Sequence, residues 1–286
     1  MNGALVVTGS STGIGEACAL HLAKLGYRVF AAVRKETDAE RLRQNANVTP
    51  ILFDVRDEAA LRRAAAFVTQ EVGSAGIQGL LNNAGVAVAA PLEHLPLDDL
   101  RMQLEVNVVG QLAVTQAFLP LIRQGKGRIT FISSISGLMA TPMVGAYSAS
   151  KFALEALADS LRMELKEWGI AVSLVEPGQI ATPIWSTSAQ AAEERMRRMG
   201  PEAATRYGWM VRAVRVRAAQ GAKHGSDPHA VALVVERALL GANPKTRYVV
   251  GREGQLVRLL AHLPDRLRER IILGRLRRMA AAYREP

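Results

Sequence analysis

A tyrosine and a lysine four residues apart, Tyr147 and Lys151, are the residues of this chain best placed to do chemistry. Side chains with this spacing project from the same face of a helix, one turn apart. An ammonium group beside a phenol favours the phenolate, so we expect the pKa of Tyr147 to fall from about 10 toward neutrality. Such a phenol could give or take a proton at physiological pH, as general acid–base catalysis requires. Because this spacing also arises often by chance, the elements around it decide its meaning.

Short β-branched segments alternate with longer helical patterns along the chain. Strands separated by helices of this length predict a parallel sheet covered on both faces. We therefore predict an α/β fold: a single doubly wound domain of about seven parallel strands, with helices on both faces. The predicted strands are Ala4–Thr8, Arg28–Val33, Val48–Phe53, Gly79–Asn82, Arg128–Ser133, Ala171–Val175 and Arg247–Val250. The predicted helices are Gly13–Leu25, Glu58–Val72, Leu97–Arg123, Ser148–Glu167 and Pro228–Leu240.

The composition is that of a globular protein. The 286 residues are 49% hydrophobic and 22% charged, enough to bury a large core. Cys18 is the only cysteine, so no intramolecular disulfide can form. The first predicted strand begins almost at Met1 and no apolar run reaches about 18 residues, so we expect neither a signal peptide nor a membrane-spanning helix. These features predict a cytoplasmic protein.

The positive charge is concentrated in the last third of the chain. Of the net charge of +10, residues 1–192 carry −1 and residues 193–286 carry +11. A basic face can bind nucleic acid, an anionic membrane surface or an acidic ligand, although a solvated arginine-rich surface is the commoner explanation. No DNA-binding motif accompanies it, so we expect no nucleic-acid partner. We also expect no metal site.

A glycine-rich loop near the N-terminus predicts a dinucleotide site. The loop follows a predicted strand and opens a predicted helix, which is the context in which such a glycine pattern is informative. Glycines let the backbone approach a pyrophosphate closely, and the helix N-terminus stabilises its charge. The candidate cofactor-binding residues of this loop are Gly9, Ser11, Thr12, Gly13, Ile14 and Gly15.

Further motifs follow the loop in a recognisable order. They are Asn82-Asn83-Ala84-Gly85, then Asn107, then Ser134 thirteen residues before Tyr147, then Lys151, and finally Pro177-Gly178 before Thr182. Together with T-G-x-x-x-G-x-G at 8–15, this set resembles the short-chain dehydrogenase/reductase family over about residues 3–251. The family has a Rossmann-type fold and transfers a hydride between a nicotinamide cofactor and an alcohol or ketone.

The resemblance implies four catalytic residues. Tyr147 would protonate a carbonyl oxygen or deprotonate a hydroxyl, and Lys151 would lower the pKa of Tyr147 and bond the nicotinamide ribose. Ser134 would orient the substrate oxygen by a hydrogen bond. Asn107, a polar residue within an apolar helical run, would hold a water that links Lys151 to solvent. The cofactor supplies the hydride, and the protein supplies position and electrostatics.

The resemblance also implies cofactor contacts along several strand ends. Asp54 would bond the adenine amino group, but it could instead cap the helix that begins near Asp57, and the sequence leaves both interpretations open. Asn83 is as much a structural residue as a ligand-binding one. The remaining candidates for cofactor binding are Val55, Ala84, Gly85, Tyr147, Lys151, Pro177, Gly178, Ile180 and Thr182.

The end of the second predicted strand bears on the choice between NADP(H) and NAD(H). Enzymes that prefer NAD carry an acidic residue there, whereas this chain has Val33 followed by Arg34 and Lys35. An arginine can bond the 2′-phosphate with two donors, which favours NADP(H) and makes Arg34 a cofactor-binding candidate. Against this, Thr12 stands where many NADP-dependent members have a basic residue. We predict NADP(H), with NAD(H) as the alternative.

Apolar residues around the site favour a large apolar substrate. Candidate lining residues are Leu138, Met139, Met143, Ile184 and Trp185, although some of them could simply pack the lid. This pattern resembles the retinol and hydroxysteroid dehydrogenase branch of the family. That branch implies an apolar secondary alcohol, or the corresponding retinoid, steroid or lipid-like ketone.

Two other functions compete with this interpretation. The first is a 3-ketoacyl-thioester reductase, in which the basic last third would meet an acidic acyl-carrier protein. The second is a non-catalytic dinucleotide sensor or nucleic-acid-binding protein that kept the fold. A sensor would have little reason to keep Asn107, Ser134, Tyr147 and Lys151 together, so an enzyme is favoured.

The C-terminal segment extends beyond the region of resemblance. We predict a catalytic domain over 1–253, with a substrate lid at about 178–225, and a basic helical extension over 254–286. The extension could lie on an anionic membrane, but docking onto the core or onto a sister subunit is favoured. We expect a homodimer or homotetramer.

Overall fold

The protein folds around one seven-stranded parallel sheet. The structure, a computed structural model, describes residues 2–198 and 200–283, without the side chains of Trp185, Ser186, Ala189, Glu193, Met196, Arg198 and Arg252. The strand order is β3-β2-β1-β4-β5-β6-β7, which confirms the predicted doubly wound α/β architecture. The strands are β1 (Ala4–Val7), β2 (Arg28–Val33), β3 (Val48–Leu52), β4 (Gly79–Asn82), β5 (Arg128–Ile132), β6 (Val172–Pro177) and β7 (Arg247–Val250).

Alternate residues of the central strand enter two separate cores. Val6 of β1 pairs in register with Phe30 and Leu80, and all three belong to the core on one face of the sheet. Leu5 and Val7 point to the opposite face and join the core that contains α1 and α9 residues. Burial on both faces explains why β1 reads as a continuous apolar run rather than as an alternating one.

The described part of the chain has eleven α-helices. The first six are α1 (Gly13–Lys24), α2 (Glu36–Arg43), α3 (Glu58–Val72), α4 (Leu97–Leu104), α5 (Gly110–Gln124) and α6 (Gly145–Glu164). The last five are α7 (Pro183–Arg198), α8 (Gly200–His224), α9 (Pro228–Leu240), α10 (Arg252–Leu260) and α11 (Asp265–Ala281). All seven strands and five of the helical stretches had been predicted, whereas α2, α7, α8, α10 and the bounds of α11 had not.

The predicted helix Leu97–Arg123 is interrupted. A π turn over Glu105–Val109 joins α4 to α5 and adds one residue to the helical register. The combined stretch 97–124 is long and apolar enough to span a membrane, but half of its most apolar window is buried inside the fold. Val114, Phe118 and Ile122 pack in the core against the sheet, so the apolar character is that of a core helix.

The C-terminal segment docks onto the rest of the molecule. Helix α11 packs against α8, with Leu276 buried between them, and α10 packs beside β7. Val257 of α10 joins a small core with Ile135 and Met139, which lie just beyond β5. Docking onto the core is therefore the arrangement that the structure has, and the arginines of α11 stay largely exposed.

Candidate active site

A deep cleft runs along the carboxyl edge of the sheet. Open α/β sheets bind ligands where neighbouring strands connect in opposite directions, which here is between β1 and β4. The cleft has a volume of about 360 Å³, within the usual range for ligand sites of about 300–1,000 Å³. Of the predicted cofactor residues, those that line it are Gly9, Thr12, Gly13, Ile14, Arg34, Asn83, Ala84, Gly85, Tyr147, Lys151, Pro177, Gly178, Ile180 and Thr182.

The glycine loop is shaped by close backbone approaches. Gly9 has φ +66°, and a Cβ there would lie 2.8 Å from the Cα of Ala84. A Cβ at Gly15 would lie 2.2 Å from the carbonyl oxygen of Gly9. Larger residues at these two positions would push the loop away from the strand ends. Ser11 and Gly15, two of the predicted cofactor residues, do not line the cleft.

Asn83 holds the loop to the end of β4. Its side-chain Nδ2 donates to the carbonyl oxygens of Thr8, at 2.9 Å, and of Gly9, at 3.1 Å. The hydroxyl of Thr8 accepts from the backbone N–H groups of Asn83 and Ala84. Asn83 is therefore structural in this geometry and also lines the cleft.

A smaller apolar cavity adjoins the loop at the ends of β2 and β3. Val55, Asp54 and Arg34 line it. The Asp54 carboxylate accepts three hydrogen bonds from Arg56, and these hold the pKa of Asp54 below its usual range. Asp57, rather than Asp54, caps α3 by accepting from the N–H of Ala60 at 2.9 Å. The capping interpretation of Asp54 is therefore wrong.

Two arginines lie near the glycine loop, and one of them lines the cleft. Arg34 is exposed and lines both the cleft and the smaller cavity. Arg41 of α2 donates to the carbonyl oxygen of Ser11 and to Glu16, so it supports the glycine loop. Arg41 was missed from the sequence because α2 was not predicted.

Helix α6 places Tyr147 and Lys151 on its buried face. The helix begins at Gly145, three residues before the predicted start, so Tyr147 lies in its first turn and Lys151 one turn later. Both side chains are buried, at 6% and 4% exposure. The ammonium of Lys151 lies 5.7 Å from the ring centroid of Tyr147 and donates to the carbonyl oxygen of Ile132 at 2.7 Å.

Burial reverses the expected shift of the tyrosine. The pKa of Tyr147 is raised to about 12, mainly because the phenolate is desolvated, while the hydrogen bond to Ser134 and the charge of Arg217 act in the opposite direction. Burial also lowers the pKa of Lys151 to about 8, against the charge of Glu155. The expectation that the pKa of Tyr147 falls toward neutrality is therefore wrong for this structure. Spacing along a helix reveals the neighbouring ammonium group but not the loss of water.

Ser134 lies directly beyond β5 and faces Tyr147. Its hydroxyl is hydrogen-bonded to the phenol, and its Oγ accepts from the N–H of Ser136 at 3.1 Å. Ser134 begins a short 3-10 turn over Ile135–Gly137 that fixes its direction. Ser134 lines the cleft, as Ser133 does, whereas Ser136 does not. A hydroxyl so placed can bond the same substrate oxygen as Tyr147.

Asn107 sits in the π turn and is fully buried. Its Oδ1 accepts from the N–H of Val86 at 2.9 Å, and its Nδ2 donates to the carbonyl of Val86 and to the hydroxyl of Ser150, both at 3.0 Å. Ser150 in turn donates to the carbonyl of Tyr147 at 2.7 Å. Asn107 thereby links the end of β4 to the first turn of α6.

Two narrow cavities continue from the cleft on the substrate side. The inner cavity, of about 40 Å³, is lined by Ala89, Ser134, Ile135, Ser136, Thr141, Pro142, Val144, Gly178, Gln179, Ser188, Val214, Arg217, Ala218 and Leu276. The tail cavity, of about 60 Å³, is lined by Ile135, Ser136, Met139, Thr141, Arg217, Glu253, Val257, Leu260, Ile271, Ile272, Arg275, Leu276 and Met279. Because α11 lines both, the C-terminal segment is part of the site's wall.

The predicted substrate residues fall in different places. Ile184 lines the cleft and Met139 lines the tail cavity. Leu138 is partly buried and Met143 is buried, and neither lines the cleft or these two cavities. The side chain of Trp185 lies outside the described part of the chain. Ser188, Arg217 and Leu276 were missed, since nothing in their local sequence distinguishes them from ordinary helix residues.

The cleft fits a nicotinamide dinucleotide. The glycine loop lacks the Cβ atoms that would block backbone approach, and the N-terminus of α1 opens beside it. Val33, Val55 and Val86 give the adjoining cavity an apolar lining suited to a planar ring. Lys151 and Tyr147 line the same cleft as the glycine loop.

Comparison with known proteins agrees with this geometry. The chain matches the short chain dehydrogenase family over residues 4–193. It is 37% identical to an NADPH-dependent 3-dehydrocapnine reductase of Ornithobacterium rhinotracheale over 283 residues, or 96% of this chain and 97% of the relative. Human retinol dehydrogenase 5 is 35% identical over 282 residues, 95% of this chain and 88% of that one.

A solved structure carries the same fold with a cofactor in place. A short chain dehydrogenase from Burkholderia cenocepacia J2315, in complex with NADP, is 25% identical with a TM-score of 0.71, covering 94% of this chain and 96% of that one. The resemblance to the family, and to its retinol dehydrogenase branch, is confirmed. The chain belongs to the short-chain dehydrogenase/reductase family and is an oxidoreductase that uses NADP(H) or NAD(H).

Proposed function

We propose that this enzyme reduces a lipid-like ketone to a secondary alcohol, with Tyr147 as the general acid. The observation that carries the proposal is the buried Tyr147 phenol, hydrogen-bonded to Ser134 at the wall of the cleft. Ser134 also lines the inner cavity, so a carbonyl oxygen bonded to Ser134 would lie between the cleft and the substrate side. The inner cavity then holds the rest of the ketone.

Reduction needs Tyr147 in its protonated form. With a pKa raised to about 12, the phenol holds its proton at neutral pH. A protonated phenol is the form that can donate to the alkoxide that develops on the substrate oxygen. Ser134 donates a second hydrogen bond to the same oxygen, which stabilises the charge as it forms.

Lys151 and Asn107 support that proton transfer. The Lys151 ammonium is fixed by the carbonyl of Ile132 and faces the cleft, where it can bond ribose hydroxyls of the bound dinucleotide. Asn107 holds the first turn of α6 in place through Ser150. A bound nicotinamide supplies the hydride, and the residues of the glycine loop hold the dinucleotide in the cleft.

The substrate side favours a slender, flexible molecule. The inner and tail cavities are narrow and mostly apolar, which suits an alkyl or acyl chain better than a fused ring system. For this reason we propose a lipid-like ketone ahead of a steroid or retinoid. The 3-ketoacyl-thioester alternative keeps the same chemistry and differs in the group at the end of the chain.

The test is turnover with a panel of ketones. Medium-chain keto lipids, steroid and retinoid carbonyls, and a 3-ketoacyl thioester are offered with NADPH and with NADH, and cofactor absorbance is followed. We expect Tyr147→Phe to lower kcat by about 10²–10⁴-fold, because only the transferred proton is lost. Tyr27→Phe, a tyrosine far from the cleft, is the matched control. Wild-type turnover that survives Tyr147→Phe unchanged would contradict the proposal.

We further propose that NADP(H) is the preferred cofactor. The support is Arg34, which lines the cleft where Val33 replaces the acidic residue of NAD-preferring enzymes. Oligomeric state and cytoplasmic location stay predictions, which light scattering and cell fractionation would check. So does membrane contact, for which the exposed Leu256, Leu259 and Leu267 of α10 and α11 are the candidate surface.

A further inference from the structure

One arginine of the substrate side forms no side-chain hydrogen bond or ion pair with the described residues. Arg217 of α8 borders both the inner cavity and the tail cavity and is partly buried. None of the hydrogen bonds or ion pairs within 2–198 and 200–283 involves its guanidinium. A guanidinium group placed in an apolar wall without a partner costs free energy, so a ligand that pairs with it would remove that cost.

Among the described residues that line the two cavities, Glu253 is the only acidic one, and its charge acts on Arg217 although its ion pair is with Arg275. Glu253 lines the tail cavity and forms an ion pair with Arg275, with 3.0 Å between the two charged groups. Arg217, Arg275 and Glu253 therefore leave one net positive charge among the residues that line this space. The surrounding side chains are mostly aliphatic, so this charge is poorly screened.

Arg217 also lies near the proposed reacting centre. Burial lowers the pKa of Arg217, and the charge of Glu253 opposes this, while the charge of Arg217 acts in turn to lower the pKa of Tyr147. Helix α8 is held at this point because Gln179, which directly follows Gly178, donates to the carbonyl of Arg217. The arginine is thus presented to the inner cavity by a fixed turn of helix.

A second unpaired polar group faces the same space. Ser188 of α7 is 5% exposed, and its hydroxyl has no hydrogen-bond partner in the described structure. Ser188 lines both the cleft and the inner cavity, as Ser134 and Gly178 do. A buried hydroxyl left without a partner is costly, and a polar group of a ligand between Ser134 and Arg217 would satisfy it.

We propose that the substrate is an anionic amphiphile: a ketone that carries a carboxylate, sulfonate or phosphate bound by Arg217, with an alkyl chain in the tail cavity. That the substrate is a ketone rests on the proposed function, whereas the anion site rests on Arg217 and Ser188 alone. Arginine binds such groups with two parallel donors, and the aliphatic residues of α10 and α11 contact the chain. Ser188 donates a further hydrogen bond to the acidic group or to a neighbouring polar atom.

Binding of the anion is tested without turnover. Octanoate and octane sulfonate are added to the protein below their micellar concentrations, and octanamide is the uncharged control, with the melting temperature as the readout. We expect both anions to stabilise the wild type and Arg212→Gln, an exposed arginine of the same helix. Arg217→Gln should lose this stabilisation, and octanamide should have little effect on any variant. Equal shifts for octanamide and octanoate would overturn the proposal.

Turnover then separates substrate recognition from activation of Tyr147. Oxodecanoic acids that differ in ketone position are compared with their methyl esters, using NADPH. We expect the best acid to exceed its ester in kcat/KM by tenfold or more. Arg217→Gln should lower kcat/KM for the acid by about 10–100-fold, mainly through KM, with little change for the ester, and Arg217→Lys should restore part of it.

Two results would contradict the role of Arg217 in recognition. One is equal use of acid and ester by the wild type. The other is an equal loss for both in Arg217→Gln together with a shifted pH profile, which would make Arg217 a residue that tunes Tyr147. If no ketone of any kind is reduced but the anions still stabilise the protein through Arg217, the proposed function fails and the anion site stands.

Discussion

The nucleotide half and the substrate half of this enzyme are built in different ways. The nucleotide half is the glycine loop with the ends of β1, β2, β3 and β4, where backbone groups and short side chains set the shape. The substrate half is α7, α8, α10 and α11, where long side chains from distant segments meet. The first is determined by local backbone constraints and the second by packing between helices, so substitutions should affect the two halves differently.

The largest expected effect on stability concerns Glu176, which lies in β6 directly before Pro177. Glu176 is 1% exposed, and burial followed by the charge of Glu155 raises its pKa from 4.5 to about 7. At a pH between these two pKa values, Glu176 keeps its proton in the folded state but has lost it in the unfolded chain. The free energy of unfolding therefore falls as the pH rises through this range. Above pH 7 the full loss is about 3 kcal/mol.

Glu176→Gln should remove this dependence. The free energy of unfolding is measured with urea for both proteins at pH 5 and at pH 8. The difference, variant minus wild type, should be about 3 kcal/mol larger at pH 8 than at pH 5. Arg247 keeps Asp159, at 2.7 Å, and Glu155, at 3.1 Å, as partners after the substitution. The same difference in stability at both pH values would mean that Glu176 is ionised throughout.

Leu276→Ala should weaken the substrate half alone. Leu276 is 8% exposed and lines both cavities, so its truncation should cost about 2 kcal/mol of stability. The KM for the ketone should rise while the Kd for NADPH, measured by fluorescence titration, is unchanged. Leu267→Ala, at an exposed position of the same helix, is the control. A parallel loss of NADPH affinity would show that the halves are coupled.

Arg34→Leu should alter the nucleotide half alone. Removing the cation at the end of β2 should lower kcat/KM for NADPH by about tenfold and leave that for NADH nearly unchanged. Lys35→Leu, its exposed neighbour, should have a smaller effect. Equal losses with both cofactors would remove Arg34 as the determinant of the preference.

The smallest effects compare one substitution type across the two halves. Gly274→Ala, on α11 with no atom within 4 Å of the new Cβ, should stabilise the protein by up to about 1 kcal/mol through helix propensity. Gly15→Ala should destabilise the protein by more than Gly274→Ala stabilises it, because the new Cβ would lie 2.2 Å from the Gly9 carbonyl oxygen and the loop would have to move. Thermal melts of both variants check the signs, and destabilisation by both would argue against a well-formed α11.

The sequence predicts the nucleotide half well because its signals are local. Apolar strands such as Leu5-Val6-Val7 and the glycines after them need only their neighbours to be recognised, and all seven strands were found within two residues at each end. Pro50 lies within β3 although proline has no backbone N–H to donate. Strand β3 tolerates it because it is at the edge of the sheet.

The substrate half could not be predicted to the same depth. The start signals of α7 and α8, Thr182-Pro183 and Gly200-Pro201, were not used, so the region was predicted only as a lid. The proposed role of Arg217 depends on which side chains surround it, and the local sequence does not show that. The prediction that the pKa of Tyr147 falls was wrong for the same reason. The neighbouring Lys151 is visible in the sequence, whereas the burial that raises this pKa is not.

The π turn at Glu105–Val109 makes chain length, and not only residue type, a requirement of the site. Each residue added to a helix rotates everything beyond it by about 100°. One extra residue between α4 and α5 therefore sets the rotational phase at which Asn107 meets the Val86 backbone while Phe118 still enters the core. Deleting any single residue of this turn would force one of the two helices out of phase. Deleting Val109, for example, would leave Asn107 in the chain but would break its link to α6. Point substitutions at exposed positions of the same helix would not break that link.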